Sequence, residues 1–151
     1  MAARDPLYLE DLAPGRRFAT AEHTVDEAEM LAFAGRYDPQ PFHLDAEAGR
    51  DSLFGGLVAS GWFTAGVTMR LQVESGPPVA GGMIGAGGRI EWPRPTRAGD
   101  TLRVETEVLE ARPSRSRPDR GLVRILATTL NQRDEPVQTF EVTLVVPRRP
   151  A

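Results

Sequence analysis

Between residues 101 and 111 polar and apolar side chains alternate. Leu102, Val104, Thr106 and Val108 fall on one side, and Arg103, Glu105 and Glu107 on the other. A period of two predicts a half-buried strand. Residues 122–130 form a richer apolar run, which predicts a central strand. Residues 137–146 place Phe140, Val142, Leu144 and Val146 on one face, and residues 83–92 read as a fourth, glycine-rich strand. Ahead of the Gly/Pro break at residues 76–78 the period changes. Met30, Leu31, Phe33 and Ala34 mark a helix, with a T-x-x-E capping box at Thr24 and Glu27 and an end near Tyr37. A short strand is predicted before it, over residues 17–21. Residues 58–74 are apolar or small nearly all round until Arg70, which predicts a helix buried on most sides. Gly61 and Gly66 lower its helical propensity, so a backbone or a ligand is expected close to them.

The order is short strand, helix, buried helix and four long strands. It predicts an α+β fold, with an antiparallel sheet packed on one long helix. No linker or internal repeat interrupts the 151 residues, so one domain is expected, with its core over about residues 9–146.

Composition narrows the chemistry. There is no cysteine, and all 18 basic residues are arginine. Thiolate nucleophiles, cysteine-held metals, lysine Schiff bases and Walker-type phosphate loops are therefore excluded. The formal net charge of −3 gives no reason to expect nucleic acid. No apolar run is long enough for a membrane span, and the N-terminal stretch has no leader-like apolar core, so a cytoplasmic location is expected. His23 and His43 fit no helical metal motif. The open route is acid–base chemistry by carboxylate and histidine.

The stretch "YDPQPFHLD", residues 37–45, holds the best candidates, Asp38 and His43. Asp38 precedes Pro39 and so leaves the helix. The two prolines predict a stiff, extended connection that limits where His43 can go. Together the two side chains could hold a water and exchange protons with it. The plainer alternative is that Asp38 only turns the chain and His43 only bonds a backbone carbonyl. Asp45 is read as a cap for a helical turn at Ala46–Arg50, and His23 as a surface histidine. "GGMIGAGG" is followed by no strand–loop–helix and is not read as a dinucleotide fingerprint; its glycines are expected to let the strand pass close to the helix or a partner. The basic loop at residues 111–120 is read first as a solvated hairpin loop, with phosphate contact as the alternative, and Arg94 and Arg97 are further candidates for phosphate contacts.

"AGRYDPQPFHLDAEAG" followed by "LFGGLVASGW" resembles the hydratase motif of the MaoC-like dehydratases and (R)-specific enoyl-CoA hydratases. "RPTRAGDTL" resembles the turn those proteins place before a long strand, and the likeness runs over about residues 9–146. It implies a hot-dog fold, a sheet wrapped around a central helix. It further implies that Asp38 and His43 activate the water added to a 2-enoyl thioester, and that the Gly61 N–H donates to the thioester oxygen. Gln40, Phe42, Ser60, Trp62 and Phe63 are the expected substrate-binding positions. Coenzyme A enters as part of the substrate, with no separate cofactor, and a homodimer or dimer of dimers is expected. Departures from the pattern bear on substrate choice: Gln40 stands for the usual asparagine, Tyr37 for a glycine, Met69 for a hydroxyl residue, and Trp62 and Phe63 add bulk. The other functions weighed are an acyl thioesterase, which would need a carboxylate on the central helix where residues 58–71 have none, and a non-catalytic acyl-thioester-binding subunit.

Overall fold

The alternating segments pair as their periodicity predicts. In the computed structural model, which describes residues 3–151, the chain runs β1 (Arg17–Ala19), β2 (His23–Thr24), α1 (Glu27–Tyr37), α2 (Pro41–Leu44), α3 (Ala46–Arg50) and α4 (Gly61–Ser75). Then follow β3 (Ile84–Glu91), β4 (Thr101–Pro113), β5 (Arg120–Leu130) and β6 (Pro136–Pro147). Met1 and Ala2, the first residues of the stretch read as lacking a leader, lie outside the described residues. The sheet order is β1-β4-β5-β6-β3, antiparallel throughout, and β2 adds to β4. The apolar run expected at the centre, β5, is at the centre. Its Val123, Ile125 and Ala127 face the core with Val104 and Val108 of β4 and Val142, Leu144 and Val146 of β6. The sheet packs on α4 in the hot-dog arrangement. Among the described residues no helix is long and apolar enough to cross a membrane.

The local expectations need five corrections. The strand predicted over residues 17–21 ends at Ala19, and a separate short strand, β2, follows it at His23–Thr24. The capping box of α1 belongs to Asp26 and Glu29, not Thr24 and Glu27: Asp26 accepts from the Ala28 N–H, and Glu29 Oε1 accepts from the Asp26 N–H. Thr24 is already committed to β2, with its hydroxyl on Thr101. The connection after Asp38 is not extended throughout, because Pro41 opens the turn α2, where its fixed φ and missing N–H suit the first helical position. The long helix begins at Gly61, since residues 58–60 are held outside it by bonds from Val58 N to Phe42 O and from Ala59 N to Thr96 O.

The fifth correction concerns burial. Helix α4 is buried on one side only. Trp62, Met69 and Val73 are exposed on the other. The side turned to the sheet is partly polar: Thr64, Thr68 and Gln72 recur every fourth residue and so form one stripe. Thr64 donates to Thr96 Oγ1 at 2.9 Å, Thr68 and Thr129 share a bond of 2.6 Å, and Gln138 donates to Thr68 at 3.2 Å. Gln72 donates to Thr106 at 3.2 Å. Among the described residues no buried side-chain nitrogen or oxygen lacks a partner.

Candidate active site

Asp38 stands at the C-cap of α1, where its N–H still bonds Ala34 O while its backbone has left helical geometry before Pro39. His43 stands in α2, and its position follows from that turn. Its Nδ1 lies 2.8 Å from Val58 O. A carbonyl can only accept, so Nδ1 carries the hydrogen and Nε2 is turned toward Asp38. The separation from His43 Nε2 to Asp38 Oδ2 is 3.3 Å. The plain roles considered for these residues and the chemical ones are therefore compatible: Asp38 does turn the chain, and His43 does bond a carbonyl, with Nδ1, which leaves Nε2 for the site.

Ser60 joins the pair to α4. Fully buried, it donates through Oγ to Asp38 Oδ2 at 2.7 Å and accepts from the Trp62 N–H at 3.2 Å, as the N-cap of the helix. Gln40 donates to the other carboxylate oxygen, Asp38 Oδ1, at 2.6 Å. Burial pushes the Asp38 carboxyl up, but the hydrogen bonds from Ser60 and Gln40 and the field of His43 outweigh it, so the group lies below the usual carboxylate range. The longer amide at position 40 reaches the carboxylate itself and holds it.

At the start of α4 the backbone of Ser60 accepts from Phe63 and Thr64, and its side chain from Trp62. The Gly61 N–H finds no acceptor among the described residues. It is a donor at a helix N-terminus, where partial positive charge collects. Why glycine stands here has a direct answer: a Cβ would lie 2.6–2.9 Å from carbons of the Trp92 indole. Gly66, by contrast, has open space around it, so the expected close approach holds for one glycine of the two.

These groups line a cavity of about 420 Å³, the size of a small-molecule site. Asp38, Gln40, Phe42, His43, Gly61 and Trp62 all border it, and Ser60 lies beneath the carboxylate. Phe63 does not, which corrects its expected place. It is 6% exposed and packs with Val25, Met30 and Leu102, its ring 5.9 Å from Phe33. A helix turns about 100° per residue, so neighbouring side chains cannot both face the cavity.

The candidate phosphate contacts divide differently. Arg97 donates to Phe54 O at 2.7 Å and so holds the loop at the cavity edge, while Arg94 borders the cavity and lies 3.4 Å from Glu135. The basic loop lies past the far end of β4, a strand of 13 residues that starts next to Asp100. His23 is less free than a surface histidine, with Nε2 2.6 Å from Glu29 Oε1. Asp45 caps α3 as expected, accepting from the Ala48 N–H. Reasoning from sequence missed Trp92, Phe54 and Thr96 as wall residues. The tripeptide Trp92-Pro93-Arg94, an aromatic fixed just past a strand end, is the signal that could have marked the first.

Comparison with known proteins places this geometry. The family described as MaoC like domain matches residues 11–129. The MaoC-like dehydratase from Rhodospirillum rubrum is 61% identical, with a TM-score of 0.94 over 96% of this chain and 99% of that one. The (R)-hydratase of Pseudomonas aeruginosa is 26% identical, with a TM-score of 0.76 over 95% of this chain and 88% of that one. The 3-hydroxybutyryl-CoA dehydratase of Methylorubrum extorquens is 29% identical over 145 residues, 95% of this chain and 86% of that protein. The chain belongs to the MaoC-like domain family.

Proposed function

We propose that this protein is a hydro-lyase that adds water reversibly to a 2-enoyl thioester, carried by coenzyme A. The observation that supports this most is the convergence of Asp38 and His43, 3.3 Å apart, on a cavity that also borders Gly61 with its unoccupied N–H. The thioester oxygen accepts from the Gly61 N–H, which draws charge out of the double bond. A water held between Asp38 and His43 bonds through its oxygen to C3, and one of its protons passes to the pair. The pair delivers a proton to C2, and the double bond is replaced by C–O and C–H bonds. Dehydration runs the same steps backwards. The addition is redox-neutral, and no cofactor is proposed beyond the coenzyme A of the substrate.

Coenzyme A as carrier is supported by the relative named 3-hydroxybutyryl-CoA dehydratase. Location in the cytoplasm is proposed on the sequence argument alone. A homodimer or dimer of dimers is supported by the apolar side chains that α4 and the edge strand β3 leave exposed, Trp62, Met69, Val73 and Ile84. Light scattering at micromolar concentration checks it, and a fully active monomer would contradict it.

The deciding assay uses crotonyl-CoA. Loss of the enoyl absorbance without free thiol supports the hydro-lyase. Release of thiol would instead mean thioester hydrolysis, and absence of both on every enoyl thioester would remove the catalytic reading.

A further inference from the structure

Trp92 follows β3 directly and has its indole against the α-carbon of Gly61. Although 39% exposed, it is not a loose surface ring. Its Nε1 donates to Gln138 Oε1 at 3.0 Å, and Gln138, itself fully buried, donates on to Thr68 of α4. Trp62 meets it edge-on, with ring centroids 5.1 Å apart and planes at 83°. The indole is therefore fixed at three points: a glycine below, an amide behind and a second indole beside it.

The brace from Trp92 through Gln138 to Thr68 crosses the groove between α4 and the sheet. On one side lies the cavity of Asp38, His43 and Gly61. On the other lies a second cavity of about 240 Å³, between Met69 and Gln72 of α4, Gly85 and Gly87 of β3, and Phe140, Val142 and Leu144 of β6. The order of lining residues along each element establishes this. On α4 the first cavity uses positions up to 64, the brace 68, and the second cavity 69 and 72. On β6 the brace uses 138 and the second cavity starts at 140. Gln72, the polar residue of the second cavity, is already bonded to Thr106, so what remains is an apolar slot suited to methylene groups.

We propose that Trp92, locked by Gln138, sets the acyl length this protein accepts, by closing the reacting cavity against the apolar slot behind it. The inference rests on the enoyl-thioester reading. With the carbonyl oxygen at the Gly61 N–H and C3 at the Asp38–His43 pair, the acyl carbons beyond C3 leave the pair alongside the residue that Trp92 covers. Short acyl groups end before the indole. Longer ones need the slot and find the indole in the way. Removing the ring joins the two spaces.

The test is a chain-length series, crotonyl-, hexenoyl- and octenoyl-CoA, on wild type, Trp92→Ala and Gln138→Leu. Calorimetric binding of the saturated butyryl- and octanoyl-CoA runs in parallel. Wild type should favour the short members in kcat/KM and in Kd. Trp92→Ala should raise the octenoyl-to-crotonyl ratio by about tenfold or more, the scale that a few methylenes command in an apolar pocket. Gln138→Leu keeps the ring but frees it, and should move the ratio the same way by less. Met69→Trp added to Trp92→Ala refills the slot and should cancel the gain. If Trp92→Ala does not fold, Trp92→Leu replaces it. An unchanged ratio in both single variants overturns the proposal, as does wild-type binding of octanoyl-CoA as tight as butyryl-CoA. Failure of wild type to hydrate any enoyl thioester would sink the reaction proposed above, and the saturated-ligand binding series would still decide the role of Trp92. No binding of any acyl-CoA would overturn both.

Discussion

Helix α4 meets polar clusters at two places, and the difference between them separates site from scaffold. At its N-terminus the cluster is open on one side: the Gly61 N–H has no acceptor among the described residues, and Asp38 and His43, 3.3 Å apart, face a cavity. One turn further on, Thr64, Thr68, Gln72, Thr129 and Gln138 are buried, and every one of them is paired. Both clusters draw on small hydroxyls and amides, and the open one adds a carboxylate and an imidazole. The closed one has its buried side-chain donors and acceptors partnered within the protein, so it offers a ligand few bonds. The open one holds donors and bases that only a substrate or water can complete. Ser60 belongs to both worlds, since the same buried hydroxyl caps the helix and holds Asp38.

The sharpest way to break this contrast is to disable the open cluster alone. Asp38→Asn and His43→Ala should each lower turnover of crotonyl-CoA by about a hundredfold or more, the usual scale for a lost proton-transfer group. Thermal unfolding should show the fold surviving. Near wild-type activity in both variants would remove the pair from the chemistry.

The closed cluster should respond the other way. Thr68→Val keeps the volume but leaves the Gln138 amide and the Thr129 hydroxyl short of a partner. A loss of stability of about 1–3 kcal/mol is expected, read from denaturant midpoints, because buried polar groups lose their bonds without regaining water. If Thr68→Val were as stable as wild type, the seam would carry no weight in the fold.

Ser60→Ala should show both effects at smaller size. The lost helix cap costs about 1 kcal/mol. The lost bond to Asp38 removes one of the hydrogen bonds that hold its carboxyl low, so the carboxyl rises and the acid limb of the pH–rate profile moves to higher pH. The sign for stability follows from the same direction. A carboxyl held low in the folded state stabilises fully above its unfolded pKa of about 3.9, and that share disappears as the pH falls through the lowered native value. Ser60→Ala should flatten that acid-side loss. An acid limb that stays in place would show that the hydroxyl serves the helix only.

Gln40→Ala is expected to give the mildest change. The amide bonds Asp38 Oδ1 from an exposed position, where water can replace it. The acid limb should move up by less than in Ser60→Ala, with the folding midpoint unchanged. A larger shift than in Ser60→Ala would reverse the ranking of the two donors.

Much of the fold was legible because it rests on period. Alternation along β4 to β6 and the central place of β5 follow from which residues must leave water, and that is written position by position. Helix boundaries were less legible. Thr24 and Asp26 both look like caps, and only the pairing of Thr24 with Thr101 across the sheet decides that Asp26 takes the role. Pro41 can open a helix or extend a chain, and its neighbours in space choose between them.

For the site, the chain by itself carried Asp38 and His43 as candidates, since Pro39 and Pro41 constrain the short segment between them through local sterics; the bond of Ser60 to Asp38 came only with the fold. Contacts between distant segments were decided only by the tertiary structure. Phe63 turns into the core and Trp62 to the cavity because the rotation of α4 against the sheet assigns their faces. Trp92 reaches Gly61 from 31 positions away in sequence only because β3 ends where α4 begins. Periodicity records which side of an element avoids water; it does not record which other element comes to cover that side, and that choice belongs to packing.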